Sequence, residues 1–362
     1  MHQINAIRDE LRQYLPWHGA RLSFVAIFLV ALFRTKKVTT TELVSVMPTG
    51  RSQQTNSKRI YRFFRYFDFP PEAVTTAIVK MLGIPQPWTL SLDRTNWSLG
   101  AVHINILCLG VVYQGIAIPV IWTMLPTQGN SNTQERMDLL DRFFLSFPEV
   151  SVQSLTADRE FIGKEWFSYL MLSPTIPMLI RIKENMLISS ASGQTRKKAQ
   201  VYFRDLEVGA SRLLSNARFV CGRRLWVHAT RLPDNQLLIL VSQKRPVSAL
   251  DDYAQRWAIE NLFAVLKTRG FDLEASHFTD MERLSKLLAL LSLAVAWAFK
   301  SGLWLHQQKP IPLKKHGYKA KSFFRYGLDC IRQTVSNFGL YPDQFDFLLR
   351  CLSPTAAFCP SS

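Results

Sequence analysis

The chain has 362 residues, 48% of them hydrophobic and 12% aromatic, which excludes a disordered chain and allows a large core with more than one structural unit. Its net charge of +17 points to a polyanionic partner, because each lysine or arginine set on a phosphate releases condensed counterions. The five cysteines (Cys108, Cys221, Cys330, Cys351, Cys359) are scattered without a CxxC pair and the seven histidines have no HxxxH spacing, which argues against a disulfide framework or zinc site and for a reducing cytoplasm.

No charged-then-apolar start ends in a small-residue cleavage site, so no secretion signal is expected. Residues 1–85 read as helical. The apolar run Leu22–Phe33 is closed by Arg34 after about a dozen residues, where a membrane span needs about 20. It reads as a buried core helix, as does Leu287–Phe299 between Lys286 and Lys300, and no membrane partner is expected. The stretch TTTELVSVM, PTGR, SQQTNSKRIYRFFRYF has the form of helix, turn and basic second helix. Arg51, Lys58, Arg59, Arg62 and Arg65 line that second helix, interleaved with Tyr61, Phe63 and Phe64. Two readings stand: a DNA-binding helix carrying Arg59 and Arg62 into a groove, or a surface helix with basic residues outside and aromatics inside.

From Trp88 the period changes. WTLSLDRT, VHINILCLGVVY and IAIPVIWTML read as a three-stranded meander, with turns at Gly100 and at Gln114–Gly115. Asn132–Phe147 reads as a helix, SVQSLTAD as a fourth strand, Gly163–Leu172 as a short helix and IPMLIRIK as a fifth strand. That order predicts a mixed α/β sheet with helices on its faces. Residues 184–245 hold short β-like runs broken by glycines and Pro233, and read as a β-rich insertion. After Pro246 one long amphipathic helix is expected, capped by Ser248, with Asp251 and Asp252 in its first turn and its stop at Lys267, Arg269 and Gly270. Further helices follow to about residue 326.

Charge is uneven along this order. Residues 1–90 carry 12 basic and 5 acidic groups (+7), 181–245 carry 13 and 4 (+9), and 300–326 carry 7 and none (+7). The stretches between are mildly acidic. A metal-dependent nuclease needs that arrangement: carboxylates for cations, flanked by basic arms for phosphates.

Asp93 lies in the middle or at the end of the first strand, where a charge is costly unless paired or bound to a cation. Asp158 lies just past the fourth strand. If the two strands are neighbours, both carboxylates leave the same edge and repel, a cost that divalent cations relieve. Two such ions about 4 Å apart can activate an attacking oxygen and stabilise a leaving one. On an ideal helix Tyr253, Arg256, Glu260 and Lys267 share an arc of about 60°. Glu260 could complete the metal site, with Tyr253, Arg256 and Lys267 holding phosphates along the strand. Glu160 and Glu165 lie near Asp158 in sequence without that face around them; Glu160 reads instead as a support behind the metal ligands or as a helix cap.

The spacing Y-x2-R-x3-E-x6-K, present as YAQRWAIENLFAVLK, resembles the signature of DDE transposases of the insertion-sequence-four group. SLDRTNW and TADREF resemble that group's two aspartate motifs, and the resemblance covers about residues 85–305. It implies an RNase H-like catalytic core at 86–183 and 246–305, interrupted by the insertion at 184–245. A helical DNA-binding region at 1–85 precedes the core, and a basic helical tail at 306–362 follows it. It implies Asp93, Asp158 and Glu260 as catalytic ligands of two Mg²⁺ ions, replaceable by Mn²⁺, with Tyr253, Arg256 and Lys267 on DNA. The implied partners are double-stranded DNA with terminal inverted repeats and target DNA, met by a homodimer in a synaptic complex at the cytoplasmic nucleoid. The family stacks an insertion tryptophan on a flipped base. Trp226 is the candidate here, with core packing its other reading, and Trp257 is expected in the core. An RNase H-like nuclease without strand transfer and a non-cutting DNA-binding protein are the alternatives.

Overall fold

The computed structural model describes residues 2–99, 101–172, 176–315 and 317–353. The expected turn at Gly100, Cys359, and residues 354–362 of the tail lie outside these. The chain forms two compact units, one of residues 1–84, 97–102 and 263–362, the other of 85–96 and 103–262.

The first unit opens with α1 (His2–Arg12), α2 (Gly19–Thr35), α3 (Thr40–Val46), α4 (Gln53–Tyr66) and α5 (Pro71–Leu82). Nearly every side chain of α2 from Leu22 to Phe33 is buried, so this helix has no polar face and is wrapped on all sides. Ser52 caps α4 by accepting the Thr55 N–H at 3.3 Å. Its inner face carries Ile60, Phe63 and Phe64, its outer face Arg62 and Tyr61. Tyr61, paired with Phe63 and Phe64 in the sequence reading, thus lies outside.

The second unit is built on a sheet. Its elements run β1 (Trp88–Leu99) and β2 (Val102–Tyr113), whose facing ends at 97–102 belong to the first unit, then β3 (Ile116–Leu125), α6 (Thr133–Ser146), β4 (Val152–Ala157), α7 (Lys164–Leu172) and β5 (Met178–Ile182). Short strands follow: β6 (Leu187–Ser189), β7 (Arg196–Lys198), β8 (Ser211–Leu213), β9 (Arg218–Val220), β10 (Arg223–Arg231) and β11 (Leu237–Ser242). The strand order is β3-β2-β1-β4-β5-β11-β10-β9-β6-β7, with β8 on β10. β1, β4 and β5 are parallel, whereas β2–β3, β5–β11 and β11–β10 are antiparallel. The β-rich stretch 184–245 therefore extends the same sheet through β11 on β5. A capping box starts α6: Asn132 Oδ1 accepts the Glu135 N–H at 2.9 Å and Glu135 returns the bond to Asn132 at 2.8 Å.

The single helix expected after Pro246 is interrupted. It is α8 (Ala249–Ala254), a turn at Gln255–Arg256, α9 (Trp257–Ala264) and a wider π-turn at Val265–Arg269. At the break the bonds tighten to an i→i+3 pattern, from Arg256 N–H to Tyr253 O and from Ile259 N–H to Arg256 O. The Arg256 carbonyl also accepts from Ser91 Oγ in β1 at 3.4 Å, which draws this turn onto the sheet. Ser248 stands at the cap position without a side-chain bond.

The chain then returns to the first unit with α10 (Met281–Gln308), α11 (Phe323–Ser336) and α12 (Pro342–Arg350). By length and composition α10 could cross a membrane, but 89% of its most apolar window is buried inside the protein. Lys286 and Lys300 are each only 3% exposed, yet both are satisfied. Lys286 pairs with Glu282, and Lys300 Nζ donates to the carbonyls of Met81 at 2.7 Å and Ser353 at 3.0 Å. α10 and α11 meet at Gly302 and Gly327, where a Cβ on either would stand 1.8 Å from a carbonyl oxygen of the other helix.

Candidate active site

Parallel pairing of β1 with β4 places Leu92 opposite Ala157, so Asp93 and Asp158 are the next residues on two hydrogen-bonded neighbours. The Asp93 side chain is 17% exposed. Burial pushes its pKa up to about 6; the Arg94 N–H on Oδ1 (2.8 Å) and the Arg256 charge oppose the rise, and Glu160 and Asp158 add to it. Asp158 is more open. Its Oδ1 accepts from the Tyr253 hydroxyl at 3.4 Å and lies 3.9 Å from Arg181 Nη1 on β5.

Glu260, on α9, is linked to Asp93 by one side chain. Arg256 Nη1 is 3.1 Å from Asp93 Oδ2, and Nη2 is 2.7 Å from Glu260 Oε1. The guanidinium is 7% exposed and lies 5.7 Å from the Tyr253 ring centroid and 5.4 Å from that of Trp257. Its Nε is buried without a hydrogen-bond partner. The break at Gln255–Arg256 lets this side chain turn inward. Trp257 is correspondingly displaced outward and is 59% exposed, which corrects the expectation that it lies in the core.

Tyr253, Arg256, Asp93, Asp158 and Glu260 are thus gathered in one unit. Lys267 belongs to the other unit, where Nζ lies 3.1 Å from Glu274 Oε1 and 5.2 Å from the Trp97 ring centroid. Trp226 sits half-buried on β10 opposite Ser242, with the Arg245 guanidinium 5.7 Å from its ring. On α4, Arg62 is exposed and Arg59 half-buried, its pKa lowered by burial and by the Arg51 charge. Sequence reasoning missed Arg181, Arg94 and Asn105. Arg94 had one usable signal: a second charge directly after Asp93 in an apolar strand needs a partner.

Among the described residues no three His, Cys, Asp or Glu side chains converge closely enough to hold a metal ion. The site is nevertheless suited to a hard divalent cation. Its donors are all carboxylate oxygens, the ligands such ions take, and a positive charge already stands between Asp93 and Glu260 in the form of the Arg256 guanidinium.

The family model for the transposase DDE domain matches residues 107–297, a span that contains Asp158 and Glu260 and begins after Asp93. No curated protein matches the chain. Among solved structures, a piggyBac transposase synaptic complex with hairpin DNA is 13% identical with a TM-score of 0.48, over 100% of this chain and 85% of that one. An endonuclease V from Bacillus subtilis is 10% identical with a TM-score of 0.27, over 67% of this chain and 92% of that one.

Proposed function

Since the chain belongs to the DDE-domain transposases, we propose that it cuts DNA at inverted-repeat transposon ends and joins those ends to target DNA, as a member of the insertion-sequence-four group. The observation that carries the assignment of the site is the β1–β4 register, which brings Asp93 and Asp158 side by side. An RNase H-like core is supported by the order β3-β2-β1-β4-β5 with β1, β4 and β5 parallel. In this reading residues 1–85 bind DNA, the core occupies 86–183 and 246–305, residues 184–245 are its insertion, and 306–362 form a basic tail. A homodimer acts on two ends in the cytoplasm.

Asp93, Asp158 and Glu260 would hold Mg²⁺, or Mn²⁺ in its place. When bound, such ions activate an attacking oxygen and stabilise the leaving one in phosphoryl transfer. The chain's own residues prepare that corner. Arg256 neutralises Asp93 and Glu260 while they are without another cation, and on turning outward it can fork onto a phosphate. The Tyr253 hydroxyl steadies Asp158, with Arg181 nearby as a second cation. Lys267, Arg59 and Arg62 contribute phosphate contacts, and Trp226 offers a ring to an unstacked base.

Incubating the protein with inverted-repeat DNA in Mg²⁺ or Mn²⁺ tests the reading. We expect nicked and strand-transferred products, both abolished by Asp93→Ala. Uncut DNA with both proteins would remove the catalytic assignment. Nicking that ignores the inverted repeat and never joins ends would leave a plain nuclease.

A further inference from the structure

Asp93 and Asp158 are adjacent, and both must keep their spacing whether or not a cation lies between them. Arg256 reaches Asp93 from α8–α9 and touches no atom of the Asp158 loop at hydrogen-bond distance. A different side chain joins the two aspartate segments. Arg94, the residue after Asp93, places Nε 3.2 Å from Glu160 Oε1 and Nη2 3.2 Å from Glu160 Oε2, a two-pronged ion pair with the residue two past Asp158. Both side chains are largely buried, 14% and 21% exposed, where a charge-assisted pair is weakly screened. Strand alternation sends Arg94 to the face of β1 opposite Asp93, so its charge does not compete for the space that Arg256 fills.

The pair is itself anchored. Arg94 Nη1 donates to Asn105 Oδ1 at 3.2 Å and Nη2 to Asn130 Oδ1 at 3.3 Å. Asn105, 2% exposed on β2, donates its Nδ2 to the carbonyls of Thr127 and Gly129, each at 3.1 Å. On the far side the Phe161 N–H closes the turn onto the Asp158 carbonyl at 3.0 Å. The guanidinium of buried Arg136 lies 5.1 Å from the Phe161 ring and its Nε donates to Ser131 Oγ at 2.9 Å.

We infer that Arg94 and Glu160 are positioning residues for the proposed cleavage: a brace beneath the aspartates that sets their separation for a divalent cation without touching DNA or the ion. The inference rests on the catalytic reading above. Direct hydrogen-bond partners of metal ligands typically carry about 10- to 100-fold in metal affinity or activity; this pair acts one residue from Asp93 and two from Asp158, so the lower end, about 10-fold, is expected here.

The test uses the full chain with Glu160→Gln and Arg94→Gln, and Arg94→Lys, which keeps the charge but not the fork. Mn²⁺ affinity is followed by paramagnetic resonance, DNA affinity by anisotropy, and cleavage by kcat and KM. The glutamine variants should bind Mn²⁺ about 10-fold more weakly and lose kcat, with KM and DNA affinity unchanged. Arg94→Lys should recover part of both. Thermal unfolding identifies the folded variants, and Glu160→Gln, which changes no volume, carries the test if Arg94→Gln does not fold. Glu160→Gln with Mn²⁺ affinity within twofold of the parent overturns the brace. If the unmodified protein neither binds Mn²⁺ nor nicks DNA, the catalytic reading fails and the brace falls with it; Mn²⁺ binding and cleavage untouched by the substitutions refute the brace alone.

Discussion

Asp93 holds its proton to about pH 6 in the folded chain, against about 3.9 for a solvated aspartate. Because the folded form binds that proton more tightly, the stability it contributes is whole below about pH 4 and is lost as pH rises through 6. Its size is about 3 kcal/mol. Chemical unfolding in EDTA across pH 4–7 should therefore show this decline in the parent and not in Asp93→Asn; equal slopes would disprove it. Mg²⁺ should stabilise the protein more at pH 7 than at pH 5, since a carboxylate must be ionised to bind it. Arg256 is the other residue whose environment decides its role. Arg256→Ala leaves Asp93 facing Glu260 without a counter-charge, and should destabilise the apo protein by about 3 kcal/mol. On DNA it should flatten the salt dependence of end binding by about one charge; an unchanged slope would separate Arg256 from phosphate. That Asp93, Arg256 and Glu260 come together was expected from motif and spacing. That Arg256 is buried was not, because ideal helix periodicity aligns Tyr253, Arg256, Glu260 and Lys267 on one surface, and only the break at Gln255 turns the guanidinium inward.

At the scale of elements, periodicity worked where local chemistry and burial agreed. The continuous apolar runs of β2 and β3, the Asn132–Glu135 capping box of α6 and the all-apolar run of α2 each express a local rule, and each element formed where that rule predicts. The helix after Pro246 did not form as one piece: it breaks at Gln255–Arg256, where the Arg256 carbonyl faces Ser91 Oγ on a strand distant in sequence. Likewise nothing local marks Gly302 and Gly327 as the contact between α10 and α11. There the backbones are so close that an added methyl meets a carbonyl oxygen. Gly327→Ala should destabilise the protein by about 3 kcal/mol, the upper range for overpacking, read as a lower denaturant midpoint. A midpoint equal to the parent's would mean that the helices separate freely.

For the whole molecule, a charge of +17 makes DNA affinity steeply dependent on salt. Strand β7 exposes Arg196, Lys197 and Lys198 together. If this strand lies along DNA, replacing all three with alanine should reduce the slope of log affinity against log salt by about 0.9 for each phosphate that the strand neutralises. The rate at saturating DNA should not change. An unaltered slope would place β7 away from the backbone. Composition, charge blocks and periodicity by themselves determined a basic α/β protein with core helices, five strands in order, an acidic residue within the first of them and another just past the fourth, because these depend on side-chain chemistry and near-neighbour spacing. Only the tertiary structure decided that 184–245 continues the sheet through β11, that Asp93 and Asp158 stand in adjacent register, and that Arg256 lies between Asp93 and Glu260. These depend on which strands pair across long separations and on where a buried charge finds its partner, and neither is encoded in any one segment.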